Sequence, residues 1–181
     1  MLKKILSTIG TRYLNALLNL GLIFINAKVL GAQGVGLVGL IVASISIAVI
    51  FTGILSGNTI VYFMNKYSIR ILMPIAYGWS FIGSALACGF LSITGLLPAG
   101  YGWRVYLIAI VNSFVVANAR FLLGKDRIKG FNITYFFQTG FLFFVLLFIY
   151  YIVNEQNVDS YILGMYIANG TAFIISFLML T

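Results

Sequence analysis

Residues 5–36 read ILSTIGTRYLNALLNLGLIFINAKVLGAQGVG. The apolar part is long enough to cross a bilayer, which takes about 20 residues of α-helix. It ends in a glycine-rich turn. At 100° per residue, Arg12, Asn15, Asn19 and Asn26 fall at roughly 0°, 300°, 340° and 320° around the axis, and Thr8 at roughly 320°. These polar groups share a wedge of about 60° on a helix that is otherwise Leu, Ile, Phe and Ala. A polar stripe of this kind cannot face lipid, where polar groups lose their hydrogen-bonding partners. It needs protein partners or a water-filled cavity.

The rest of the chain repeats the membrane pattern. Of its 181 residues, 62% are hydrophobic and 8% charged, against roughly 25% charged in a soluble domain. The charges stand singly or in short turns between apolar runs of membrane length. The expected fold class is therefore all-α integral membrane, a single transmembrane domain over 1–181. Six transmembrane helices are expected, at about 5–27, 36–63, 71–96, 104–123, 131–152 and 161–181. The first run is too long for the apolar region of a cleaved signal, lacks a small-residue cleavage site and is followed by further spans.

Short connections are expected between these spans. In residues 28–35, Gly31 suits a helix C-cap, and Gly34 and Gly36 let the next helix begin close by. Gly53 and Gly57 have the small-xxx-small spacing that lets helices approach in lipid. Pro74 is expected in the first turn of the third span, and Gly78, Gly83, Ala85 and Gly89 suggest tight burial there. Tyr101 and Trp103 read as headgroup-level aromatics. With the N-terminus inside, the inner segments hold Lys3, Lys4, Lys66, Arg70, Arg120, Lys125, Arg127 and Lys129, and the outer ones only Lys28 and Arg104. This positive-inside bias predicts an N-in, C-in topology.

Composition also excludes function classes. There is no His, and Cys88 is the lone Cys, so neither an internal disulfide nor a Cys/His metal site is expected. The carboxylates are Asp126, Glu155 and Asp159. All three fall in loops at opposite ends of spans, which argues against a paired-carboxylate hydrolase. No nucleophile–base pair or phosphate-cradling loop is present, so the chain reads as a non-enzyme without cofactors. The basic turns lack the interleaved surface of a nucleic-acid module.

Arg12 is the principal candidate for chemistry. One reading has it snorkel to the cytoplasmic headgroups. The other has it line an inward cavity and pair with an anion, for which a planar, permanently charged fork suits phosphate. The asparagines sharing its face favour the second, and no carboxylate in the spans offers a counter-ion. Thr8, Asn15, Asn19, Asn26 and Asn58 are candidate cavity-lining residues that would bond sugar hydroxyls; interhelical hydrogen bonding is the alternative. Arg120, Lys125, Arg127 and Lys129 read as topology determinants and contacts to anionic lipids.

Gly10-Thr11-Arg12-Tyr13, Leu18-Asn19-Leu20 and the run from Ala27 to Gly36 (AKVLGAQGVG) resemble the opening of Wzx-type O-antigen and polysaccharide flippases of the MOP exporter superfamily. Gly57-Asn58 and GKDRIKGFNITYFFQ at 124–138 fit the same order. The resemblance implies the first six-helix lobe of a two-lobed transporter in a bacterial inner membrane. It implies translocation of undecaprenyl-pyrophosphate-linked oligosaccharide units for O-antigen, capsule or exopolysaccharide biosynthesis, with Arg12 on the pyrophosphate. Lys28 stands where many relatives carry Arg. The expected partners are the lipid-linked oligosaccharide, anionic lipids, and a second lobe or a polysaccharide polymerase. Two other readings remain: a cation-coupled small-molecule exporter, which needs an intramembrane carboxylate that these spans lack, and a non-transporting membrane scaffold.

Overall fold

The computed structural model describes residues 2–180, with side chains from Thr8 onward. The side chains of Lys3 and Lys4, and Thr181 at the end of the sixth expected span, lie outside the described residues. Among the described residues all regular structure is helical. α1 is Leu2–Ser56, α2 Asn58–Phe63, α3 Ile69–Ile93 and α4 Gly102–Gly124. α5 is Ile128–Val153 and α6 Val158–Leu178. Five helices are long and apolar enough to cross a membrane: Thr8–Phe63, then α3, α4, α5 and α6.

The first two expected spans are thus one helix with a break. No loop separates them over 28–35. Gly31 alone leaves the helical region, at φ 67° and ψ −177°. That backbone region is essentially reserved for glycine. Three residues on, a Cβ on Gly34 would come within 2.7 Å of the Leu30 Cβ, so the turn closes tightly on Leu30; Gly36 faces open space.

Side-chain pairings fix the sense of each segment. The arm before Gly31 runs alongside α5 in the same direction: Thr8 meets Asn132, Asn15 meets Tyr135, and Asn26 meets Tyr150. α5 and α6 are antiparallel, with Leu142 and Leu146 against Gly164 and Met179 near Gly130. α6 parallels α4, from Tyr166 near Arg104 to Ser176 at Asn118. α4 parallels the arm after Gly31, from Thr52 at Ser113 to Met64 at Gly124. α3 opposes both: Ala76 clusters with Ile60 and Phe121, and Ala87 with Ala48 and Ala109. The two arms of α1 therefore run in opposite senses, and the chain doubles back at Gly31.

α4 is the central element. More than half of its most apolar stretch is buried, against 28% for the first helix and for α3. Ile108, Ala109, Val115, Ala117 and Phe121 fill the spaces between its neighbours. Its fully buried polar residues, Ser113 and Asn118, are both engaged. Thr52 and Ser113 share a 2.8 Å hydrogen bond; Tyr77 donates to Asn118 Oδ1 at 2.6 Å, and Asn118 Nδ2 donates to Ser176 at 3.0 Å. Asn118 thus joins α3, α4 and α6 where water is absent.

Several local expectations are corrected. A Cβ on Gly53 would meet nothing within 4 Å, and one on Gly57 would strike the Gly53 carbonyl. Gly57 breaks the helix before α2 and does not make a helix–helix contact. The close approach is made by Gly83 against Thr52, while Gly78, Ala85 and Gly89 are exposed. α3 begins at Ile69, which puts Pro74 in its second turn. α5 contains two π-helical turns, Phe136–Gly140 and Ile149–Val153. Such turns are rare and often occur at functional sites.

Candidate functional site

The polar face of the first arm meets two different surroundings. Thr8, Asn15 and Asn26 lean on α5. Asn132 Nδ2 donates to Thr8 Oγ1 at 3.2 Å, Asn15 Nδ2 donates to the Tyr135 carbonyl at 3.3 Å, and Tyr150 Oη donates to Asn26 Oδ1 at 3.1 Å. The Tyr135 carbonyl immediately precedes the first π-helical turn, and it also accepts from Thr139 Oγ1 at 2.9 Å.

Arg12 and Asn19 are exposed. They border a cleft of about 400 Å³ between the first arm, α4 and α5. Thr11, Asn15 and Ala16 continue its first wall; Phe131, Asn132, Tyr135 and Thr139 of α5 form the second; Arg120 of α4 closes it. No carboxylate lines it. Asp159 pairs with Arg104 and Glu155 accepts from Ser160 at the other end of the helices.

Two atoms on this cleft lack hydrogen-bond partners although buried: Asn15 Oδ1 and Arg120 Nε. A buried polar atom without a partner costs about 1–3 kcal/mol. The two come from different helices and line the same space. Asn15 Oδ1 is pressed toward Gly140, where any Cβ would lie 2.8 Å from it.

The candidate residues therefore divide. Arg12, Asn15 and Asn19 line the cleft, and Thr8 supports it through Asn132. Asn26 is buried against Tyr150, away from the cleft. Asn58 is exposed at the start of α2 and does not border it. Of the basic turn, Lys125 donates to the Leu180 carbonyl and Arg127 to the Met179 carbonyl, so both cap the end of α6. Placing cations at a helix C-terminus is favourable. Arg120 was grouped with that turn in the sequence. Its distinguishing signal was its position one helical turn before Gly124, inside the apolar run of α4.

Fold and composition together are those of a multi-pass membrane protein. No family model, no curated protein and no solved structure matches the chain.

Proposed function

We propose that the chain is a lipid-linked oligosaccharide flippase lobe that crosses the membrane six times, N-terminus inside. Each arm of α1 is one crossing. The alternating sense of the six segments supports this count. The basic residues support the orientation: Lys66, Arg70, Arg120, Lys125, Arg127 and Lys129 belong to the end of the molecule that also holds Thr8, while Lys28 and Arg104 belong to the other.

The observation that carries the functional reading is Arg12 at the edge of a polar cleft without a carboxylate. A permanently charged guanidinium in such a place draws an anion, and its fork matches phosphate oxygens. The substrate class is an undecaprenyl-pyrophosphate-linked oligosaccharide of a bacterial inner membrane. The pyrophosphate enters beside Arg12, the asparagines at the cleft accept or donate to sugar hydroxyls, and the prenyl tail stays in lipid. Tyr13, Leu17 and Phe24 are each more than 60% exposed along the same arm. Their face lies about 150° around the helix from the polar stripe and suits lipid; a second helical lobe would instead close over the Arg12 side of the cleft, enclosing a cavity that opens alternately to either side.

Arg12→Ala in the producing cell tests the reading. Loss of surface polysaccharide with normal membrane levels of the protein is expected. Normal polysaccharide in that variant would remove the pyrophosphate role.

A further inference from the structure

Arg120 counts toward the positive-inside pattern, but unlike Lys125 and Arg127 it caps no helix end, and its side chain lines the cleft. Its neighbours Lys125 and Arg127 bond the end of α6. Arg120 has no ion pair or hydrogen bond to any described residue, and of its nitrogens only Nε is buried without a partner. The two terminal nitrogens have no partner among the described residues. The Arg120 side chain lines the same cleft that Arg12 borders.

We propose that Arg12 and Arg120 form a two-point phosphate subsite within the six-helix unit, between the first arm, α4 and α5. This rests on the flippase reading only for its natural ligand, not for the anion chemistry. Two guanidinium groups on one cleft repel each other unless an anion lies between them, and the surrounding helices are apolar enough to lower the local screening. The three carboxylates of the chain do not supply that anion at this cleft. A phosphate ester or pyrophosphate does, with oxygens for both forks. Asn15 and Asn19 line the same cleft and offer amide groups beside the two arginines. The subsite does not need a second lobe, because all its residues belong to one cluster of three helices.

The phosphate has two possible sources, a lipid-linked sugar pyrophosphate or an anionic phospholipid headgroup. The experiment uses the full chain in phosphatidylcholine nanodiscs, titrated with farnesyl pyrophosphate and, separately, farnesol. Saturable binding of the pyrophosphate and none of the alcohol is expected. Arg12→Gln and Arg120→Gln should each weaken binding by about tenfold or more, the effect of losing hydrogen bonds to a charged group. Unchanged binding in folded Arg120→Gln overturns the proposal.

Protection from phenylglyoxal in the wild-type chain gives a readout that does not depend on a variant folding. Farnesyl pyrophosphate should shield Arg12 and Arg120 but not Arg104, and Arg120 modified at the same rate with saturating ligand overturns the subsite. If nanodiscs containing phosphatidylglycerol shield both arginines and displace farnesyl pyrophosphate, the subsite stands and its source is the headgroup. Protection of both arginines together with normal polysaccharide in Arg12→Ala cells would remove the flippase reading and leave the subsite. Lost polysaccharide with unprotected Arg120 would do the reverse.

Discussion

Arg12 and Asn26 lie on one face of one helix, yet they do different work. Asn26 is spent inside the fold, where its carbonyl oxygen accepts from Tyr150 in a buried contact. Arg12 is exposed and pays for no such contact. Asn26→Leu should therefore lower stability by about 1 kcal/mol, the scale of an interhelical hydrogen bond in a membrane protein, whereas Arg12→Ala should leave unfolding unchanged. Asn118 holds more, since it joins α3 and α6 through Tyr77 and Ser176. Asn118→Ala removes both bonds and leaves a void, at a cost of about 2 kcal/mol. Equilibrium unfolding in detergent would read all three, and Asn58→Ala, at an exposed site, serves as the unchanged reference.

At the scale of elements, the first helix is governed by a single residue. Gly31 holds φ 67° with ψ near 180°, and its missing Cβ would meet nothing within 4 Å. A substitution there is opposed by the backbone alone. Gly31→Ala should cost about 1–3 kcal/mol, the range for a side chain forced into such a region; Gly36→Ala, in open space on a regular helix, should cost nothing or stabilise slightly. An unfolding midpoint that falls for both variants equally would show that the turn is set by packing. The π-helical turn at Phe136–Gly140 belongs to this scale too. The Tyr135 carbonyl, at its N-terminal edge, accepts from Asn15 and Thr139, so this turn sits in the wall of the cleft.

At the scale of the molecule, the alternating sense of the segments gives a direct test. A reporter enzyme fused after Gly100, between α3 and α4, should report the side opposite to one fused in the basic turn at Asp126. A cytoplasmic signal at residue 100 would reverse the proposed orientation. The sequence alone determined the helical membrane class, the approximate limits of α3 to α6 and the polar stripe, because lipid forces apolar runs of fixed length and groups polar side chains by helical period. It brought Arg12, Asn15 and Asn19 together because they are three to four residues apart on one helix. It did not join Arg120 to them, since 108 positions separate Arg12 from Arg120 and only packing brings α4 to the first arm. It could not separate Asn26 from the cleft either, as both lie on the same stripe and α5 decides which part is covered. Periodicity fixes which face of a helix is polar; the neighbouring helices decide whether that face is closed by a hydrogen bond or left open to a ligand.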